Sequence, residues 1–93
     1  MFSTQINFVM AANSWTTLSN GDYEYTYSNA SITADKFIDF GPALNITEEQ
    51  LNALLGSKLI LESISNGSVV FKAYGEVPSV DIPMLLVIEG SFQ

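Results

Sequence analysis

The sequence has no cysteine, no histidine and no arginine, and its 93 residues hold only three basic side chains, Lys36, Lys58 and Lys72. Without cysteine there is no disulfide, thiolate nucleophile or sulfur ligand for zinc, and without histidine the commonest general base is gone. No arginine fork is available to grip phosphate or read base edges, and a net charge of −7 opposes both nucleic acid and an anionic membrane surface. Charged residues make up 14% of the chain against about a quarter in ordinary globular domains, so little charge is left to cover the surface. Long apolar runs are missing too: the longest, Met84 to Ile88, has the length of a strand and falls far short of the ~18 residues of a membrane span. The opening MFSTQINFVMAANSW has no basic segment and alternates apolar with polar residues, which predicts a strand and no signal peptide.

What is abundant is apolar and aromatic. Hydrophobic residues reach 47% and the mean hydropathy is +0.24, which excludes a disordered tail. A chain of this length fits one domain, residues 1–93. Apolar surface in excess of what so small a core can hide predicts a partner, most simply another copy of the chain.

The punctuation of the sequence predicts short strands. Gln5 to Ala12 alternates Ile6, Phe8 and Met10 with polar residues, the period of two of a strand covered on one face. Asn20-Gly21 marks a turn, and DYEYTYSN from Asp22 to Asn29 follows as a second strand. Ile32 to Asp35 turns the chain into a third, Lys36 to Phe40. Asn45 to Gly56 reads as a helix of about two turns: Thr47 and Gln50 form a capping box, Glu48 and Glu49 suit its positive end, and Gly56 is the expected stop. Leu51, Leu54 and Leu55 are expected to share its packing face. Leu59 to Ile64 and Ser68 to Tyr74 flank Asn66-Gly67, the clearest hairpin signal. The last strand, Ile82 to Glu89, is apolar almost throughout, as if covered on both faces, and Pro83 sets its start at an edge or just past a loop. The expected fold is mainly β, a β-sandwich of five to seven short antiparallel strands with one short helix near residues 47–55.

Ten carboxylates are the only plentiful titratable groups, but Glu48 and Glu49 belong to the helix start, and Asp22, Asp35 and Asp81 stand beside turns where short acids bond the backbone. No acid pair for glycoside hydrolysis can be named. Asp35 and Asp39 are the nearest approach to an oxygen-ligand calcium site, yet the spacing of a calcium loop is absent. Serine nucleophiles lack a base. The expectation is a protein without catalytic residues, metal site or cofactor. Trp15 and the tyrosines raise a carbohydrate-binding module as the alternative, with Trp15 as the glycan contact. On a strand, however, Tyr23, Tyr25 and Tyr27 occupy one face and Glu24, Thr26 and Ser28 the other, so the charged face goes to water and the rings to the core or a subunit seam.

Taken together, the strand leading to Trp15, the run YEYTYSNASITADKFIDFGPA, the helical TEEQLNALLGSKLIL, the hairpin SNGSVVFKAYGEVPS and the closing DIPMLLVI resemble the small β-rich domains of phage structural proteins. Such domains occur in tail and head fibres, baseplates and receptor-binding proteins. The likeness spans roughly residues 4 to 89. It implies a non-enzymatic virion protein that self-associates, commonly as a trimer, contacts other virion proteins and in some cases a host-surface glycan, and sits on the particle surface.

Overall fold

The computed structural model describes residues 3–89 and is built from seven strands and one helix. In chain order these are β1 (Ser3–Met10), β2 (Thr16–Thr17), β3 (Tyr23–Ser28), β4 (Phe37–Pro42), α1 (Glu48–Ser57), β5 (Leu59–Ser65), β6 (Ser68–Ala73) and β7 (Ile82–Glu89). They form two antiparallel sheets, one ordered β1-β7-β4 and the other β2-β3-β6-β5. The sheets face one another as a β-sandwich. The first and last strands of the chain are neighbours, with Ser3 opposite Glu89 and Met10 opposite Ile82.

Alternation builds the core. Phe8 and Met10 from β1, Ile38 from β4, and Ile82, Met84, Leu86 and Ile88 from β7 turn inward from one sheet; Tyr25, Val69 and Phe71 meet them from the other. Phe8 stacks on Tyr27 at 4.1 Å between ring centres, and Phe40 meets Phe71 edge-on at 5.1 Å. Contacts of this kind add to the area that aromatic rings bury. The near-continuous apolarity of β7 has a different cause from the one expected. Only its even-numbered residues are buried, while Pro83, Leu85 and Val87 are half-buried by the flanking strands β1 and β4, with no second layer over them among the described residues.

Both Asn-Gly turns form, each with glycine alone at positive φ, 90° at Gly21 and 91° at Gly67. Asn66 keeps a negative φ and uses its side chain elsewhere, accepting a hydrogen bond from Ala34 N–H at 2.9 Å, while Gly67 N–H donates to Ile32 C=O at 2.8 Å. The β5–β6 turn is thereby tied to the loop before β4.

The helix begins as expected: Thr47 Oγ1 accepts from Gln50 N–H at 3.2 Å, and Gln50 Oε1 accepts from Thr47 N–H at 2.9 Å. Its end differs. The helix runs through Gly56 and closes on Lys58, in the left-handed conformation at φ 49°. The carbonyls of the last turn are taken by the loop after β6: Glu76 N–H donates to Gly56 C=O at 3.1 Å and Gly75 N–H to Ser57 C=O at 2.7 Å. A tertiary clamp therefore supplies the partners that a glycine-based stop would have supplied locally. The packing face also shifts, with Leu54 buried, Leu51 half-buried and Leu55 66% exposed.

The clamp requires glycine at position 75, because a Cβ there would collide with the Gly56 carbonyl. Gly75→Ala is expected to destabilise the fold by roughly 1–3 kcal/mol, the range for overpacking against atoms that cannot yield. Gly41, where an added Cβ meets no atom within 4 Å, is the control. Urea unfolding of Gly41→Ala should stay within about 0.5 kcal/mol of the parent, as is usual for an unobstructed surface position.

Candidate functional site

The tyrosine strand faces inward. Tyr25 is buried in the core, Tyr27 lies half-buried beneath Phe8, and Tyr23, at 37% exposure, stands at the margin. Tyr25 also reaches across the sandwich with its hydroxyl, which donates to Val9 C=O at 3.2 Å and accepts from Ala11 N–H at 3.4 Å. The ring thus fills the core while its polar end closes one end of the β1 edge. Trp15 packs its ring against Tyr25 at 5.6 Å and is half-buried. Its indole N–H, the group that would bond a sugar hydroxyl, is buried without a partner. That placement gives the carbohydrate reading of Trp15 no support.

Two surfaces remain. The outer face of the β2-β3-β6-β5 sheet is charged and internally tied. Lys72 Nζ lies 2.7 Å from Asp22 Oδ2 and 3.7 Å from Glu62 Oε2, and 5.0 Å from the centre of the exposed Tyr74 ring. Glu62 reaches this spot because β5 shifts register between Leu61 and Ser63, a bulge that sequence periodicity does not announce. The Lys72 ammonium holds the Asp22 carboxyl below its ordinary range, and Asp22 in turn raises Lys72. Glu24 is pushed up, chiefly by a hydrogen bond shared with Glu62 and then by desolvation and the like charge. These groups hold one another. Among the described residues no group of three or more acids stands close enough to hold a metal ion, Asp35 and Asp39 included.

The outer face of the β1-β7-β4 sheet is of the opposite kind. Gln5, Asn7 and Val9 of β1 lie beside Val87, Leu85 and Pro83 of β7, and beyond them come Asp39 and Gly41 of β4. Val9 is 56% and Phe37 63% exposed, and Leu44, in the loop after β4, is fully exposed. A shallow groove of about 520 Å³ runs between that loop and β1, lined by Asn7, Val9, Leu44, Pro83 and Leu85 among others. A smaller apolar hollow of about 310 Å³ lies between Phe40, Pro42, Leu54, Leu55 and Leu59, with Lys58 beside it. Neither brings a nucleophile together with a base. The smaller hollow is apolar surface of the kind a small domain ordinarily hides, whereas Gln5, Asn7 and Asn45 share the larger groove with its apolar lining.

Period-two alternation is enough to place the tyrosines on one face. Leu85 and Val87 look in sequence like core residues, and only the strand order leaves them without a covering layer among the described residues.

Truncating Tyr25 to Ala should cost about 3 kcal/mol in urea unfolding, the scale of an aromatic deletion from a core, and Tyr25→Phe about 1, the scale of a lost hydrogen bond. Glu24 gives a signed pH dependence. A carboxyl that holds its proton more tightly folded than unfolded favours the fold when protonated, and that contribution is lost as pH rises through its raised folded pKa. Thermal stability is therefore expected to fall as pH climbs past the ordinary glutamate value of 4.5, and Glu24→Gln should flatten that fall. An unchanged pH profile in Glu24→Gln would remove the Glu24–Glu62 contact as its cause. Comparison with models of protein families, with curated proteins and with solved structures returns no match to this chain.

Proposed function

We propose that this protein is a non-enzymatic structural domain that works by associating with copies of itself, in the manner of the phage appendage domains that its sequence resembles. One observation carries the reading: seven large apolar or aromatic side chains stay exposed among the described residues, and three of them, Val9, Phe37 and Leu44, lie on and beside the outer face of one sheet. The opposite sheet turns its charges outward and satisfies them within itself. A domain with one wetted face and one apolar face is built to be covered on the second.

The chemistry supports a passive role. The outward lysine of the charged face is engaged by two carboxylates, and the hollow beside Leu54 and Leu55 is lined mainly by apolar residues. On this reading the work of the chain is rigidity and contact within a particle, with its loops available to other virion proteins or a host surface.

Light scattering across two decades of concentration tests the reading. The expected outcome is a mass that is a multiple of 10.2 kDa and falls on dilution. A monomer throughout the micromolar range would overturn it.

A further inference from the structure

The direction of every backbone amide in β1 can be worked out from one bond. Ala43 N–H donates to Pro83 C=O at 3.0 Å, so the odd-numbered residues of β7 spend their backbone groups on β4. Its even-numbered residues then serve β1, where they meet Thr4, Ile6, Phe8 and Met10. The amides and carbonyls of Ser3, Gln5, Asn7 and Val9 consequently point away from the sheet, along its free edge. Val9 C=O, together with Ala11 N–H just beyond the strand, is taken by the Tyr25 hydroxyl. From Ser3 to Asn7 the edge meets no partner among the described residues.

Exposed edges are normally blunted by proline, charge, bulges or brevity. The other three edges each carry such a device. On β4, Asp39 Oδ1 takes the Phe40 N–H at 2.8 Å, and Pro42 has no N–H to offer. On β5 the register shift brings out Glu62, and β2 has only two residues. β1 is eight residues long and uncharged, with no proline and no bulge.

We propose that this edge is the seat of a second copy of the chain, its β1 running antiparallel about a twofold axis at Gln5, which makes one continuous six-stranded sheet. The inference rests on the self-association proposed above and places a contact at the sheet edge, one that leaves Phe37 and Leu44 on the β4 side uncovered. In this register Gln5 faces its own counterpart and Ser3 faces Asn7, so the open amides and carbonyls of these three residues meet one another while the Tyr25 bonds stay intact. The occupant follows from the self-association proposed above, and the placing of charge decides which edges meet: the β4 and β5 edges carry Asp39 and Glu62, whereas β1 carries no charge, so two β1 strands pair without like charges facing one another. An antiparallel pair closes on itself, so this contact gives a dimer in place of the trimer that the family resemblance implies.

The test uses the exposed Gln5 side chain and its outward amide. Gln5→Lys and Gln5→Glu each place like charges opposite one another across the axis, and each should raise the dissociation constant at least tenfold by light scattering. Mixing the two variants should restore the dimer as a heterodimer. Gln5→Pro should dissociate the parent dimer while its far-ultraviolet circular dichroism is retained, because the lost N–H belongs to the free edge. Amide exchange gives a reading on the unmutated chain: Gln5 and Asn7 should gain protection with concentration, while Ile6 and Phe8 stay protected throughout. A parent that associates but whose mass is unchanged in all three variants overturns the β1 contact and leaves self-association standing. A threefold mass overturns the twofold axis in the same way, whereas a parent that stays monomeric removes both proposals.

Discussion

Each residue of β7 has two assignments that cannot be changed separately. Even-numbered residues send their side chains into the core and their backbone groups to β1; odd-numbered residues send side chains outward and backbone groups to β4. A slip of one residue would exchange both sets, exposing Ile82, Met84, Leu86 and Ile88 and burying Glu89. Pro83 is tolerated in a central strand because its missing donor falls on the β4 side, opposite Ala43, just where β4 has ended at Pro42. The inward row of the core, the outward apolar face and the open amides of β1 all follow from this parity.

Around that strand a few polar side chains join parts distant in sequence. Asp81 Oδ1 accepts from Ala12 N–H at 2.8 Å, across 69 positions, and its backbone carbonyl accepts from Gln50 Nε2 at 3.0 Å. The start of β7, the end of β1 and the N-terminal turn of α1 therefore meet at one aspartate. Gln50 caps the helix with its oxygen and anchors it with its nitrogen, so local and tertiary demands fall on the same side chain. Tyr25, from the opposite sheet, does comparable work at the same end of β1, with a ring in the core and a hydroxyl on the backbone of Val9 and Ala11.

The distribution of charge divides the molecule. One sheet carries Asp22, Glu24, Glu62 and Lys72 outward, where solvent and mutual pairing accommodate them; the other presents Val9, Leu85, Val87 and Phe37, with the uncharged edge of β1 beside them. The division is one of degree: the second face still carries Asp39 and Glu89 outward, while the β1 edge beside it carries no charge.

Local features were legible in the residues themselves. The capping box at Thr47 and Gln50, the glycine turns at Gly21 and Gly67, and the inward and outward alternation of β1 and β3 are settled by groups a few positions apart, so spacing alone reveals them. The helix end misled because Gly56 sits where a local stop would be, whereas the carbonyls there are satisfied by Gly75 and Glu76, about twenty positions on. Leu55 misled for a related reason: helical period places it near the packing face, and the width of the surface beneath decides whether it is covered. Sequence by itself determined the six longer strands, their turns and, on β1 and β3, which side chains share a face, because alternation and backbone sterics act over neighbouring residues. Only the tertiary structure decided that β1 and β7 are partners, that β7 is central and that the β1 edge is open. Pairing between residues more than seventy positions apart depends on which edges remain once the core has closed, and no local period carries that information.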